Sequence, residues 1–265
     1  MAGAEEDVKM PLMEHLTELR TRLLYSMVGF IAAFVLCFTF LYKPVFAILK
    51  APLETACLAN GHACPVIFTS LVEPFFVQVK IGAFGALCIT FPLIAAQIYK
   101  FIAPGLYKNE RSALLPFLIA TPIMFGIGAM FLYFVLLPMA LKFFTSYQQY
   151  VGIEFLPKVG EYIDFVMKLT FAFGFCFELP VVLTLLAKVG ILSSQTLREK
   201  RRYAIIIVVV IAAIFTPPDV FSMCSLAVPM IGLYEVSILL ARWIEKKRVE
   251  EDAAAESGTE VTPAS

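Results

Sequence analysis

The chain has 265 residues, 60% hydrophobic and 16% charged, with a mean hydropathy of +0.84 and a net charge of zero. A soluble domain is about 45–50% apolar and about 25% charged, so this composition excludes an ordinary soluble globule and indicates a polytopic membrane protein. The zero net charge gives no global basic field for nucleic acid, and six cysteines without a CxxC, with His15 and His62 far apart, give no zinc spacing.

In chain order, the first element is "PLMEHLTELRTRLL" at 11–24. Leu12, Leu16, Leu19 and Leu23 recur at helical spacing, which predicts an amphipathic cytoplasmic helix over 11–22 leading into the membrane. Six apolar runs follow, at 23–41, 75–98, 112–141, 165–189, 203–218 and 220–241. The first is not a cleavable signal peptide: its flank and its run are too long, and no small-x-small site follows. The fold class expected is an all-α polytopic membrane protein with one six-helix domain over 1–248. The fifth run holds 14 residues from Tyr203 to Thr216 before "TPPD", or about 21 Å of helix against a hydrocarbon core of about 30 Å. Pro217 and Pro218 force a turn, so the fifth and sixth spans are expected to form a short hairpin that leaves a depression. Pro229 adds a kink. The acidic tail 249–265 is low in bulky residues and reads as disordered.

Orientation follows from Lys and Arg outside the spans. Fifteen lie on the side of both termini, in the N-terminal segment, the second and fourth connections and the C-terminal segment; four (Lys43, Lys50, Lys142 and Lys158) lie on the other. Both termini are therefore expected in the cytoplasm.

The run "FAFGFCFELP" at 171–180 carries one acid, Glu178. Lys188 is ten residues on, so Glu178 lies about 15 Å deep, near the midplane. A carboxylate there costs at least about 2.5–3.5 kcal/mol, so the group is neutral, paired or facing a wet cavity. Pro180 frees the Cys176 carbonyl and predicts a kink at the acid. Two readings stand: a functional polar pocket, or a protonated acid hydrogen-bonded inside the bundle. Lys80 and Lys168, near the periplasmic ends of the second and fourth spans, read as snorkelling amines. Glu235 is as readily an interfacial acid as a functional one. Glu18 and Arg22, at i and i+4, read alone as a surface ion pair of a few tenths of a kcal/mol. Phe101 and Glu110, in "YKFIAPGLYKNER", read alone as ordinary loop residues.

Taken together, "HLTELRTRLL", "FIAPGLYKNERSALLPF", "FAFGFCFELPVVL", "LREKRRY" and "TPPDVFS", in this order from about 11 to 248, resemble the TatC family, the multispanning subunits of the twin-arginine protein translocase. The resemblance implies six spans, short fifth and sixth helices and a concave face within the bilayer of the bacterial cytoplasmic (inner) membrane. It implies binding of twin-arginine signal peptides on folded precursors, with Glu18, Phe101 and Glu110 as the signal-peptide-binding residues. It also implies the single-span subunits TatB and TatA as partners, self-association into a receptor complex and transport powered by the protonmotive force. Glu178 matches the family's intramembrane glutamate, near which the partner helices pack. No cofactor and no metal are implied.

The pair Cys57 and Cys64, in "CLANGHAC", departs from the family pattern, which does not require cysteines there. In an oxidising periplasm, with Asn60-Gly61 between them, a disulfide is the favoured reading. Cys37, Cys88, Cys176 and Cys224 lie in spans and read as packing residues.

Two other functional classes compete with this reading. A proton-coupled secondary transporter of a small solute would use Glu178 beside Pro180 as a midplane site, but the two halves of the chain show no matching interrupted spans. An enzyme is disfavoured by the absence of HExxH, GxSxG, paired membrane aspartates or a nucleotide loop.

Overall fold

The computed structural model describes residues 12–59, 65–102, 114–151, 156–216 and 220–259. Among them every extended element is helical; the β feature is an isolated parallel bridge between Ile67 and Lys158. Helix α1 (Leu12–Leu36) passes through a π-helical turn (Cys37–Leu41) into α2 (Tyr42–Ala59). Then come α3 (Glu73–Ile102), α4 (Leu114–Phe131), a second π turn (Leu132–Leu136) and α5 (Leu137–Val151). They are followed by α6 (Val159–Phe177), α7 (Leu179–Lys188), α8 (Ser194–Glu199), α9 (Arg201–Phe215) and α10 (Val220–Thr259).

Both π turns have the same local cause. Pro44 has no N–H for the Phe40 carbonyl, and Pro138 none for the Phe134 carbonyl. Each deprived carbonyl lies inside a π turn, whose wider hydrogen-bond register accommodates the missing partner. The first π turn also brings Cys37 and Phe38 onto the small residues of α3. A Cβ on Gly82 would meet Phe38 at 3.3 Å and one on Gly85 would meet the Cys37 Sγ at 3.2 Å. Small residues let the two backbones approach where lipid supplies no hydrophobic drive. The amide of Gln78 then donates to the Phe38 carbonyl at 3.2 Å.

A proline sets a second tie. Pro52 in α2 leaves the Ile48 carbonyl without its helical donor. The Tyr133 hydroxyl supplies one at 2.8 Å, and the Tyr162 hydroxyl donates to the next carbonyl, Leu49, at 2.7 Å. Around these bonds Leu49, Leu53, Val77, Ile81, Leu137 and Ile163 form one buried core. A second core joins the second π turn to α6, α9 and α10 through Leu132, Phe173, Ala212 and Met230.

Several expectations need correction. The amphipathic segment expected over 11–22 is, from Leu12 onward, one continuous helix with the first span. The first apolar stretch runs from Leu16 to Leu58, 43 residues, or about 65 Å of helix and about twice the hydrocarbon thickness. No break interrupts it, because its prolines are absorbed as described. The fourth long helix starts at Val159, not 165, so Asp164 is inside it. Lys80 therefore does not simply snorkel: its ammonium donates to both Asp164 oxygens, at 2.7 and 2.8 Å.

Among the described residues, five helices are long and apolar enough to cross a membrane. The fifth predicted span is short as expected: α9 has 15 residues, about 22 Å. The sixth span is longer than the fifth: its apolar stretch, Met223–Lys247, lies within α10, which runs for 40 residues. It also continues to Thr259 through the segment expected to be disordered. "EEDAAAE" is rich in strong helix formers, and Lys246 pairs with Glu250 at 3.7 Å one turn on.

Candidate functional site

The first cluster lies where α1 meets the end of α3. Gly29 on α1 lets Leu93 of α3 press against the helix backbone. Two turns back along α1 and one turn on along α3, Arg22 forms two contacts: one guanidinium nitrogen donates to Glu18 Oε1 at 3.1 Å, the other to Gln97 Oε1 at 3.4 Å. The Glu18 and Arg22 side chains keep 22% and 30% of their exposure, so the acid is partly sheltered yet reachable. Phe101 follows Gln97 by four residues, on the same side of α3. The structure thus brings Glu18, Arg22 and the Phe101 end of α3 together. Glu110 lies outside the described residues. Gln97 escapes a reading of the sequence alone; its signal is an amide one turn before Phe101 in an otherwise apolar run.

The second cluster surrounds Glu178, at the one-residue break between α6 and α7. Its N–H reaches only to the Phe175 carbonyl, at 3.1 Å, a tighter turn than an α-helix makes. Pro180 then falls in the first turn of α7, which needs no donor at that position. The kink read from Pro180 is therefore a helix break with the acid at its corner.

Close packing aims the corner inward. Gly174 lies against the Phe125 ring, and a Cβ on Gly128 would meet the Phe173 carbonyl at 2.8 Å. Phe125 stacks on Phe91 of α3 at 4.0 Å. Glu178 is left 8% exposed, and its Oε1 has no hydrogen-bond partner. The Thr121 hydroxyl and the Phe125 backbone N–H, both on α4, are the polar groups that act on its carboxyl. Thr121 in turn shares a 2.9 Å hydrogen bond with the Tyr99 hydroxyl of α3. Tyr99 is two residues before Phe101, so this polar chain runs from the end of the first cluster to the intramembrane acid. A buried carboxyl with one unpartnered oxygen is an uncommon arrangement in a stable core, because the unmade bond costs about 1–3 kcal/mol.

On the opposite side of the bundle, the Glu73 carboxylate joins two helix starts. It accepts the N–H groups of Thr69 at 2.6 Å and Ser70 at 3.3 Å, and that of Gly160 on α6 at 2.9 Å. A Cβ on Gly160 would lie 2.8 Å from the carboxylate, so glycine is what permits the approach. Nearby, the Ile67 N–H donates to the Pro157 carbonyl at 3.1 Å and the Val159 N–H donates to the Ile67 carbonyl at 3.0 Å. Cys57, buried at the end of α2, is disulfide-bonded; Cys64 lies outside the described residues. Cys37 and Cys176 are buried free thiols, whereas Cys224 is exposed rather than packed.

Comparisons with known proteins agree with this architecture. Residues 14–229 match the family model for the Sec-independent protein translocase protein (TatC). The chain is 45% identical over 249 residues to the Sec-independent protein translocase protein TatC of Magnetococcus marinus, covering 94% of this chain and 90% of the relative. It is 38% identical over 243 residues to the Escherichia coli protein of the same name, covering 91% and 92%. Among solved structures, the crystal structure of a twin-arginine translocase receptor, TatC, superimposes with a TM-score of 0.78 at 38% identity, covering 87% of this chain and 99% of that one. The chain is a multi-pass membrane protein and belongs to the Sec-independent protein translocase TatC family.

Proposed function

We propose that this chain is the receptor subunit that binds twin-arginine signal peptides at the cytoplasmic face of a bacterial inner membrane, with both termini on that side. The observation that carries the reading is the Arg22 bridge, which holds the Glu18 carboxylate beside the end of α3 that bears Phe101. Carboxylates receive guanidinium groups in charge-assisted, often bidentate pairs. This end of the bundle is otherwise basic, so a diarginine ligand needs such acids to be accepted at all. Glu18 and, from the following connection, Glu110 are the receiving acids, with Phe101 as their apolar neighbour. Family membership displaces the small-solute transporter reading, and neither cluster is used here as a catalytic centre.

Glu178 serves a later step. It is a buried polar corner near which single-span TatB and TatA helices, and further copies of this chain, assemble into a concave membrane-facing site. Cys57 and Cys64 close the loop between α2 and α3. The receptor assignment is tested by precursor binding to membranes carrying the Glu18→Ala, Glu110→Ala double variant. Binding should fall well beyond tenfold while the protein still accumulates; unchanged binding would overturn the assignment.

A further inference from the structure

The end of the bundle that carries α8 has a feature the receptor reading does not use. Between α8 and α10 lies a cleft of about 430 Å³ lined by Ser194, Gln195, Arg198, Glu199 and Arg242. Most basic groups around it are already engaged. Arg201 pairs with Glu235 at 2.6 Å, Lys246 with Glu250 at 3.7 Å, and Arg202 sits over the Tyr203 ring at 5.7 Å. The acids nearest the cleft are engaged as well. Both oxygens of Glu245 are taken by the Ser194 N–H, at 2.6 Å, and by the Ser194 hydroxyl. Glu199 accepts from the Gln195 amide at 3.1 Å. Arg198 and Arg242 face the same cleft, and among the described residues neither has an acidic partner. The Gln195 amide is neutral and leaves the charge of Glu199 in place, so the lining holds two guanidinium groups against one carboxylate, an excess of one positive charge.

Its depth is fixed by what flanks it. Trp243, next to Arg242, is 63% exposed, and Ile191, three residues before Ser194, is 67% exposed. Tyr203 opens the apolar face of α9. Exposed tryptophan and tyrosine beside arginine, at the foot of apolar helices, mark the headgroup layer of a bilayer. A cleft at that depth, basic inside and rimmed by exposed apolar side chains, matches a ligand with an anionic head and an apolar tail.

We propose that the cleft between α8 and α10 binds the phosphate of an anionic phospholipid headgroup, with Arg198 and Arg242 as its ligands and Trp243 and Ile191 against the lipid's upper chain. Guanidinium is suited to this because its fork matches two phosphate oxygens. Seating a lipid here anchors α8 and the α9–α10 hairpin to the membrane surface, independently of how the signal peptide binds. The inference needs only that this end of the bundle lies at a headgroup layer, so it stands or falls separately from the receptor assignment.

The test uses the purified full chain in a neutral detergent, titrated with phosphatidylglycerol, with phosphatidylcholine or with inorganic phosphate. Thermal unfolding and native mass spectrometry supply the readouts. Phosphatidylglycerol should raise the melting temperature and be retained as a bound lipid, and phosphatidylcholine should do neither. Removing two basic contacts at a surface should weaken the lipid's half-saturation at least about tenfold in the Arg198→Gln, Arg242→Gln double variant. A charge-matched Lys200→Gln, Lys246→Gln variant should shift it less than about threefold. Melting temperatures without lipid establish that both variants fold. Equal weakening in the two double variants would show a diffuse charge effect and overturn the site. Stabilisation by millimolar inorganic phosphate equal to that by the lipid would overturn the lipid assignment in favour of a soluble phosphate.

Discussion

Arg22 reaches from α1 to Gln97 of α3 at 3.4 Å while holding Glu18 at 3.1 Å. An exposed or half-exposed i,i+4 pair contributes only a few tenths of a kcal/mol, so an incoming arginine displaces Arg22 from the acid at little cost. Removing the acid is different, since a hydrogen bond to a charged group is worth about 1.5–3 kcal/mol. Glu18→Ala should thus weaken precursor binding roughly tenfold or more, and Arg22→Gln about twofold or less. Titrating membranes with a labelled twin-arginine precursor separates the two. An Arg22→Gln loss as large as that of Glu18→Ala would mean that Arg22 itself is required to build the site.

Glu178, Thr121 and Tyr99 should behave as one unit. Glu178→Gln keeps shape and hydrogen bonding and should retain most transport, whereas Glu178→Ala should lose much of it. Thr121→Val should resemble the milder transport defect, Thr121→Ser should restore activity, and Thr121→Val should add nothing in a Glu178→Ala background, since contacting residues couple. Precursor binding should survive in all of these variants. Transport measured in inverted vesicles decides the matter: full activity of Glu178→Ala would reduce the acid to a tolerated core group.

The α4–α6 approach is close enough to predict a steric penalty. A methyl group at Gly174 enters the Phe125 ring, whereas one at Gly126 meets nothing within 4 Å. Gly174→Ala should destabilise the protein by about 1–3 kcal/mol, the usual range for overpacking. Gly126→Ala should be neutral or slightly stabilising, as alanine is the better helix former. Thermal unfolding in detergent compares them, and equal melting temperatures would refute the contact.

The bonded state of Cys57 leads to a chemical prediction. Alkylation of oxidised membranes before reduction should leave Cys57 and Cys64 unmodified, and reduction should expose both together. Cys224, a free thiol, should label to the same extent before and after reduction. Labelling of Cys64 alone before reduction would rule out the pairing. Transport should change little on reduction, because a short closed loop constrains only local structure.

Much of this architecture was legible because membrane insertion writes itself into local composition. Uncharged runs located the long helices, and Pro180 located the break at Glu178. The short α9 followed from counting residues between Arg202 and the prolines. What escaped depended on partners distant in sequence. Asp164 looks like a loop acid until Lys80, 84 positions away, is seen to need it. Glu73 and Gly160 are 87 positions apart, and nothing local announces that one carboxylate caps a second helix. Continuity from Leu12 to Ala59 was hidden because Pro44 reads as a breaker until the π turn beside it is known. Helicity to Thr259 is masked by the acidity of the tail, although alanine and glutamate are strong helix formers. In the site, Glu18, Phe101 and Glu110 came from motif resemblance, whereas Gln97, Tyr99 and Thr121 emerged only from the packing of α1 and α4 on α3.

The central claim is that a diarginine ligand is received where Glu18 and the end of α3 meet. Its most direct test is site-specific photocrosslinking from Phe101 and, separately, from Glu110, to a precursor carrying a twin-arginine signal peptide. Crosslinks from both positions should form with the arginine pair, vanish when the pair is replaced by two lysines, and fall in a Glu18→Ala background. Crosslinks that persist unchanged with the lysine pair, or their absence from both positions while the precursor is still transported, would contradict the account.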